Sequence, residues 1–69
     1  MNEREKAVAA LLLQGCEDRE IAMRLHMAKR TVKAYMNRMF VRHGITGGIK
    51  RVKLAAILYR AELCTEDHH

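Results

Sequence analysis

Apolar residues recur along the chain at helical spacing in four separate stretches. From Asn2 to Gly15, Val8, Leu11 and Leu12 predict a first helix with that stripe inward, and Ala7 and Ala10 permit close approach. Asn2 followed by Glu5 resembles a capping box, and Gly15 stands where a helix ending near Gln14 needs its C′ glycine. Ile21, Ala22 and Leu25 predict a short second helix from about Asp18 to Leu25, with Glu17 or Asp18 at its N-cap. His26-Met27-Ala28 is then a turn, and His26 stands where the reversal calls for a positive φ. A third helix runs from Lys29 to His43 and is stopped by Gly44, with Ile45 packing back onto its last turn. After Thr46-Gly47-Gly48, a fourth helix is expected from Ile49 to Leu63. It is apolar over much of its circumference, through Val52, Leu54, Ala55, Ala56, Ile57, Leu58 and Tyr59. Residues 64–69 read as a polar tail, and His68-His69 as a tag remnant without functional meaning. The expected architecture is all-α: one tetrahelical domain over residues 1–63, without a wing.

The third stretch has two unlike faces. Val32, Met36, Met39 and His43, edged by Tyr35 and Phe40, fall on one side of the helix. Arg30, Lys33, Ala34, Asn37 and Val41 fall on the other, flanked by Thr31 and Arg38. Cations, an amide and small apolar groups on one face are the inventory for touching phosphates and base edges in a major groove. The stretch therefore reads as the recognition helix of a helix-turn-helix. Ala28, at its N-cap, has no side-chain oxygen to cap it; a Ser or Thr there is typically worth about 1 kcal/mol.

Charge sharpens this picture. The net charge is +5, and no acid occurs between Ile21 and Ala61. That interval holds Arg24, Lys29, Arg30, Lys33, Arg38, Arg42, Lys50, Arg51, Lys53 and Arg60, an electrostatic footprint for a polyanion. Charge alone does not distinguish DNA from RNA or an anionic membrane. Proline is absent and glycine is scarce, in keeping with helices. Cys16 and Cys64 make no disulfide framework, and no apolar run approaches a membrane span, so a reducing cytoplasm is the expected setting. Cys64, His68 and His69 lack the second knuckle of a zinc site. There is no Ser/His/Asp set, phosphate-cradling glycine loop or carboxylate pair, so neither catalysis nor a metal or cofactor is expected. Met27, Met36 and Met39 read as core, and Met23 as exposed.

The order and residues of these elements resemble the LuxR/GerE-type helix-turn-helix family. Asn2-Glu3-Arg4-Glu5 and the closing Gly15 are similar to the family's opening Thr-x-Arg-Glu and its Gly. Arg19-Glu20-Ile21-Ala22 with Leu25 resembles Lys-Glu-Ile-Ala-x-x-Leu. Thr31-Val32-Lys33 matches Thr-Val-Lys, and Gly44-Ile45 resembles Gly-Val. The resemblance covers about Asn2 to Leu58. It implies a homodimeric transcriptional regulator meeting a dyad-symmetric double-stranded DNA site, with RNA polymerase as a further partner. Lys33, Ala34, Asn37 and Arg30 are then the base contacts, and Arg19, Lys29, Thr31, Arg38 and Arg42 the phosphate contacts. Glu20 pairs with Arg4 to tie the first two helices. Val52, Leu54, Ala55, Ile57, Leu58 and Tyr59 form the dimer contact.

Four positions depart from the family pattern. Ala28 replaces Ser or Thr, Glu17-Asp18 replaces a frequent Ser-Asn, and Tyr35 replaces a common His. About three extra residues separate Ile45 from Arg51. The chain also resembles the fourth region of bacterial sigma factors, whose relatives include protein-interaction modules. On that alternative the fourth helix meets a heterologous partner and DNA binding is non-specific. The length leaves room for a stand-alone regulator or the output domain of a larger one, but not for a sensory domain as well.

Overall fold

Three of the four helices stop by the same local device. In a computed structural model, described for residues 2–67 with side chains as far as Ala61, the elements are α1 (Glu3–Leu13), α2 (Asp18–Leu25), α3 (Lys29–Arg42) and α4 (Lys50–Asp67). Past α1, α2 and α3 the chain turns through a left-handed residue: Gly15 at φ 86°, His26 at φ 55° and Gly44 at φ 68°. The next residue then donates its N–H back five positions. Cys16 donates to the Leu11 carbonyl at 3.1 Å, Met27 to Ala22 at 2.9 Å, and Ile45 to Phe40 at 2.8 Å. These are Schellman stops, and Cys16, Met27 and Ile45 fold back onto the core as the motif's apolar contact. The sequence pattern placed all three turns, including the histidine that occupies a glycine-like position.

The helix starts are less uniform. Asn2 Oδ1 accepts the Glu5 N–H at 2.8 Å and caps α1. Glu17 and Ala28, at the N-caps of α2 and α3, give no side-chain cap.

Every helix contributes to one core, whose fully buried centres are Val8, Ile21, Val32, Met39 and Leu54. α2 and α3 form the helix-turn-helix pair, and α1 packs against both and against α4. The inward stripe of α1 is Glu5, Val8, Ala9 and Leu12. Ala9, rather than Ala7 or Ala10, is the small residue at close approach, because it lies beside Val8 on that stripe and one turn from both Glu5 and Leu12. Leu11 is only half-buried.

Glu5 is the unexpected member of this stripe. It does not complete a capping box. It is 3% exposed, and its two carboxylate oxygens accept from both terminal nitrogens of Arg42, at 2.9 and 3.2 Å. This bond joins the start of α1 to the end of α3. The expected Arg4–Glu20 tie is not formed: Arg4 is exposed, and Glu20 is exposed and pairs with Arg24 one turn along α2 at 3.0 Å.

α4 differs from expectation at both ends and in its facing. It starts at Lys50 and runs through Asp67, beyond Leu63. Leu54 and Leu58, expected at a dimer contact, are buried in the core, with Ala55 and Ile57 packed partly against it. The remaining apolar surface is different: Ile49, just before the helix, then Val52, Ala56 and Tyr59. His68-His69 and the zinc reading that includes them fall outside the described residues.

Candidate nucleic-acid interface

α3 reaches the surface because its other face is taken. Val32, Met36 and Met39 are buried against the remaining helices, with Tyr35 and Phe40 half-buried at the margins. His43 is half-buried at the end of this face, and its Nε2 is enclosed without a hydrogen-bond partner. A helix with one face fixed in this way must present the opposite one. Arg30, Lys33, Ala34, Asn37, Arg38 and Val41 are all exposed, as the periodicity predicted, while Thr31 is half-buried in the first turn.

The electrostatics of this surface follow from the ion pairs. α3 contains no acid, and its first turn carries Lys29 and Arg30 at an N-terminus that has no side-chain cap. Cations at the positive end of a helix dipole oppose it, an arrangement that an arriving phosphate reverses. Arg19, Lys29, Arg30, Lys33 and Arg38 form no ion pair among the described residues. Arg38 lies over the Tyr35 ring, 5.5 Å from its centroid, which steadies the guanidinium at the flank of the helix. Arg42, expected to be a phosphate contact, differs: both its terminal nitrogens are held by Glu5, although the side chain stays 45% exposed.

Beside this face lies an open groove of about 480 Å³, lined by Glu17, Asp18, Arg19, Lys29, Lys33 and Arg51. It brings the start of α2 next to the start of α3, so Arg19 joins Lys29 and Lys33 across the turn. The acidic pair that departs from the family pattern also sits here. Arg51 donates from one nitrogen to Asp18 and from the other to the Cys16 carbonyl, so Asp18 is neutralised from within. Glu17 remains as the unpaired carboxylate of the groove.

Sequence reasoning missed Arg51 as a wall of this groove and Ile49 and Ala56 as surface. The first is a contact across 33 positions with no local signal. The second, at i, i+3, i+7 and i+10 with Val52 and Tyr59, is one of several apolar rows that α4 offers, and only packing selects it. Among the described residues, no group of three or more His, Cys, Asp or Glu could hold a metal ion. No described helix is long and apolar enough to cross a membrane.

Searches of curated proteins and of solved structures return no match for this chain. The sequence model of the family described as bacterial regulatory proteins, luxR family, matches residues 1–55, a span that takes in α1, the helix-turn-helix and the start of α4. An acid-free recognition helix, all-α architecture and this match agree, and the chain belongs to the LuxR family of DNA-binding transcription regulators.

Proposed function

We propose that this DNA-binding domain acts as a homodimer on a dyad-symmetric site, with α3 of each protomer in the major groove. The observation that carries the reading is the outward face of α3, where Lys33 and Asn37 stand free one turn apart with Ala34 between them. Lys donates to guanine O6 and N7, Asn pairs with adenine N6 and N7, and an alanine methyl suits thymine. Arg30 lies on the same face and joins the base contacts. Arg19, Lys29, Thr31 and Arg38 meet phosphates, which fix position without reading sequence. Arg42 is left out of this set, because Glu5 occupies it.

The dimer rests on the stripe Ile49, Val52, Ala56 and Tyr59, where Ile49 is 70% exposed, Val52 62% and Tyr59 56%. Such a row, starting just before α4 and running along one side of it, can meet its own copy across a two-fold axis. Leu54 and Leu58 support it from inside, and Ala55 and Ile57 lie at its margin.

Selection of bound duplexes from a randomised pool at physiological salt tests both parts. Two inverted half-sites support the dimeric reader, and a single half-site removes the dimer. No enrichment, with binding that vanishes as salt rises, overturns sequence reading. On the selected site, Lys33→Ala and Asn37→Ala change base preference, whereas Arg19→Ala weakens all duplexes alike and reduces the salt slope by about one unit.

A further inference from the structure

The outward row of α3 runs Arg30, Ala34, Asn37, Val41, at i, i+4, i+7 and i+11, and its last member has no role in the reading above. Val41 is 81% exposed, the most exposed large apolar residue of the domain's described surface. The shallow depression around it is lined by Asn37, Arg38 and Arg42. None of the apolar residues of the α4 stripe lines that depression, so the proposed dimer contact does not account for it. Helix propensity does not either, because a β-branched residue loses side-chain freedom in a helix where Lys, Glu or Ala would not.

Its reach suits the groove. At 1.5 Å per residue Val41 stands about 6 Å beyond Asn37 and about 12 Å beyond Lys33 along the axis. A major groove is about 12 Å wide, and successive base pairs rise by about 3.4 Å. The groove winds around the duplex, so its path per base pair is longer than the axial rise, and a helix lying along it carries Val41 about one to two base pairs past the one Asn37 reads. Arg42 does not compete for this space, since its terminal nitrogens point to Glu5.

We propose that Val41 is a specificity residue, its isopropyl group packing on the C5-methyl of a thymine about one to two base pairs from the Asn37 contact. This rests on the major-groove reading above and adds to it a base that hydrogen bonding does not read. Thymine differs from uracil by that methyl alone, so the contact is testable on the DNA as well as on the protein.

The experiment uses the site selected by the unmodified protein, with each thymine replaced in turn by deoxyuridine, measured against the protein and against Val41→Ala. One replacement lowers the affinity of the unmodified protein about fourfold, equivalent to about 0.8 kcal/mol for one buried methyl group. The same replacement costs Val41→Ala clearly less, because the isopropyl group is cut back to a single methyl. Val41→Ala is an exposed change to a better helix former and keeps its thermal unfolding transition. Indifference of the unmodified protein to every replacement overturns the proposal. So does a loss that persists undiminished in Val41→Ala at every sensitive thymine, the one facing Ala34 being expected to persist, or an equal loss for that variant on specific and random duplexes. A selected site that depends on Lys33 and Asn37 but not Val41 removes this inference alone. Failure to select any site removes the groove reading and this inference together.

Discussion

Replacing Arg42 with Met should cost this domain more stability than replacing its partner Glu5 with Gln, although both changes break the same ion pair. The asymmetry comes from burial. The Glu5 side chain is 3% exposed and the Arg42 side chain 45%. Arg42→Met leaves a carboxylate inside the core with neither of its two donors. Breaking a buried pair from one side costs about 3–5 kcal/mol, and water entering past the shorter side chain holds the loss to about 3 kcal/mol. Glu5→Gln leaves a guanidinium that is already half in water, and the amide oxygen still accepts one bond. That exchange of a charged for a neutral hydrogen bond costs about 1 kcal/mol. The difference of about 2 kcal/mol corresponds to roughly 8–16 °C in midpoint for a domain this small. Thermal and urea unfolding followed by far-ultraviolet circular dichroism measure it, at one fixed protein concentration because association would shift the midpoint. Equal losses, or the larger loss for Glu5→Gln, would refute the argument from burial. The double variant Glu5→Met with Arg42→Met should recover most of the loss, since a packed apolar pair of similar volume often matches a buried ion pair.

His26→Gly should raise stability by about 1 kcal/mol, because His26 holds a left-handed conformation at φ 55° that glycine adopts without steric cost. Denaturant unfolding reads the gain, and a loss would mean that the imidazole makes a compensating contact. Ala28→Ser should add a further increment of about 1 kcal/mol by capping α3, whose N-cap backbone is already extended at φ −69°, ψ 147°. Val52→Glu should abolish self-association measured by sedimentation while the domain still unfolds in one cooperative transition, its midpoint no longer dependent on protein concentration. Leu54→Ala should instead lower stability by about 2–5 kcal/mol, because Leu54 is wholly enclosed.

The boundaries of α1, α2 and α3 were legible because the signals that set them are local. A left-handed residue followed by an apolar one marks each stop, and these lie within a few positions of the helix they end. The two faces of α3 were legible for the same reason, since one period relates Val32, Met36 and Met39. α4 gave no such guide. With Val52, Leu54, Ala55, Ala56, Ile57, Leu58 and Tyr59 all apolar, periodicity does not distinguish the side that meets the core from the side that is left over. Only the packing against α1 and α3 assigns Leu54 and Leu58 inward and leaves Val52 and Tyr59 out. The Glu5–Arg42 bond was hidden by its 37-position separation. Its trace in the sequence was an acid at the head of an apolar stripe, three and seven positions before Val8 and Leu12.

Two departures from the family pattern prove to be connected through Arg51. Glu17-Asp18 places two acids in the groove proposed to meet phosphates, and the added residues before Arg51 lengthen the link to α4. Gly48, at φ 73°, redirects that link so that Lys50 opens α4 and Arg51 stands in its first turn. From there Arg51 reaches both the Asp18 carboxylate and the Cys16 carbonyl, just after the Schellman stop of α1. One of the two acids is thereby neutralised inside the protein. The groove then presents Arg19, Lys29 and Lys33 against the single unpaired carboxylate of Glu17. Its potential therefore stays positive where a phosphate would enter, despite a local sequence that alternates in sign. The same arginine ties the start of α4 to the α1–α2 junction, so the surface proposed for dimerisation and the surface proposed to meet DNA are braced through one side chain.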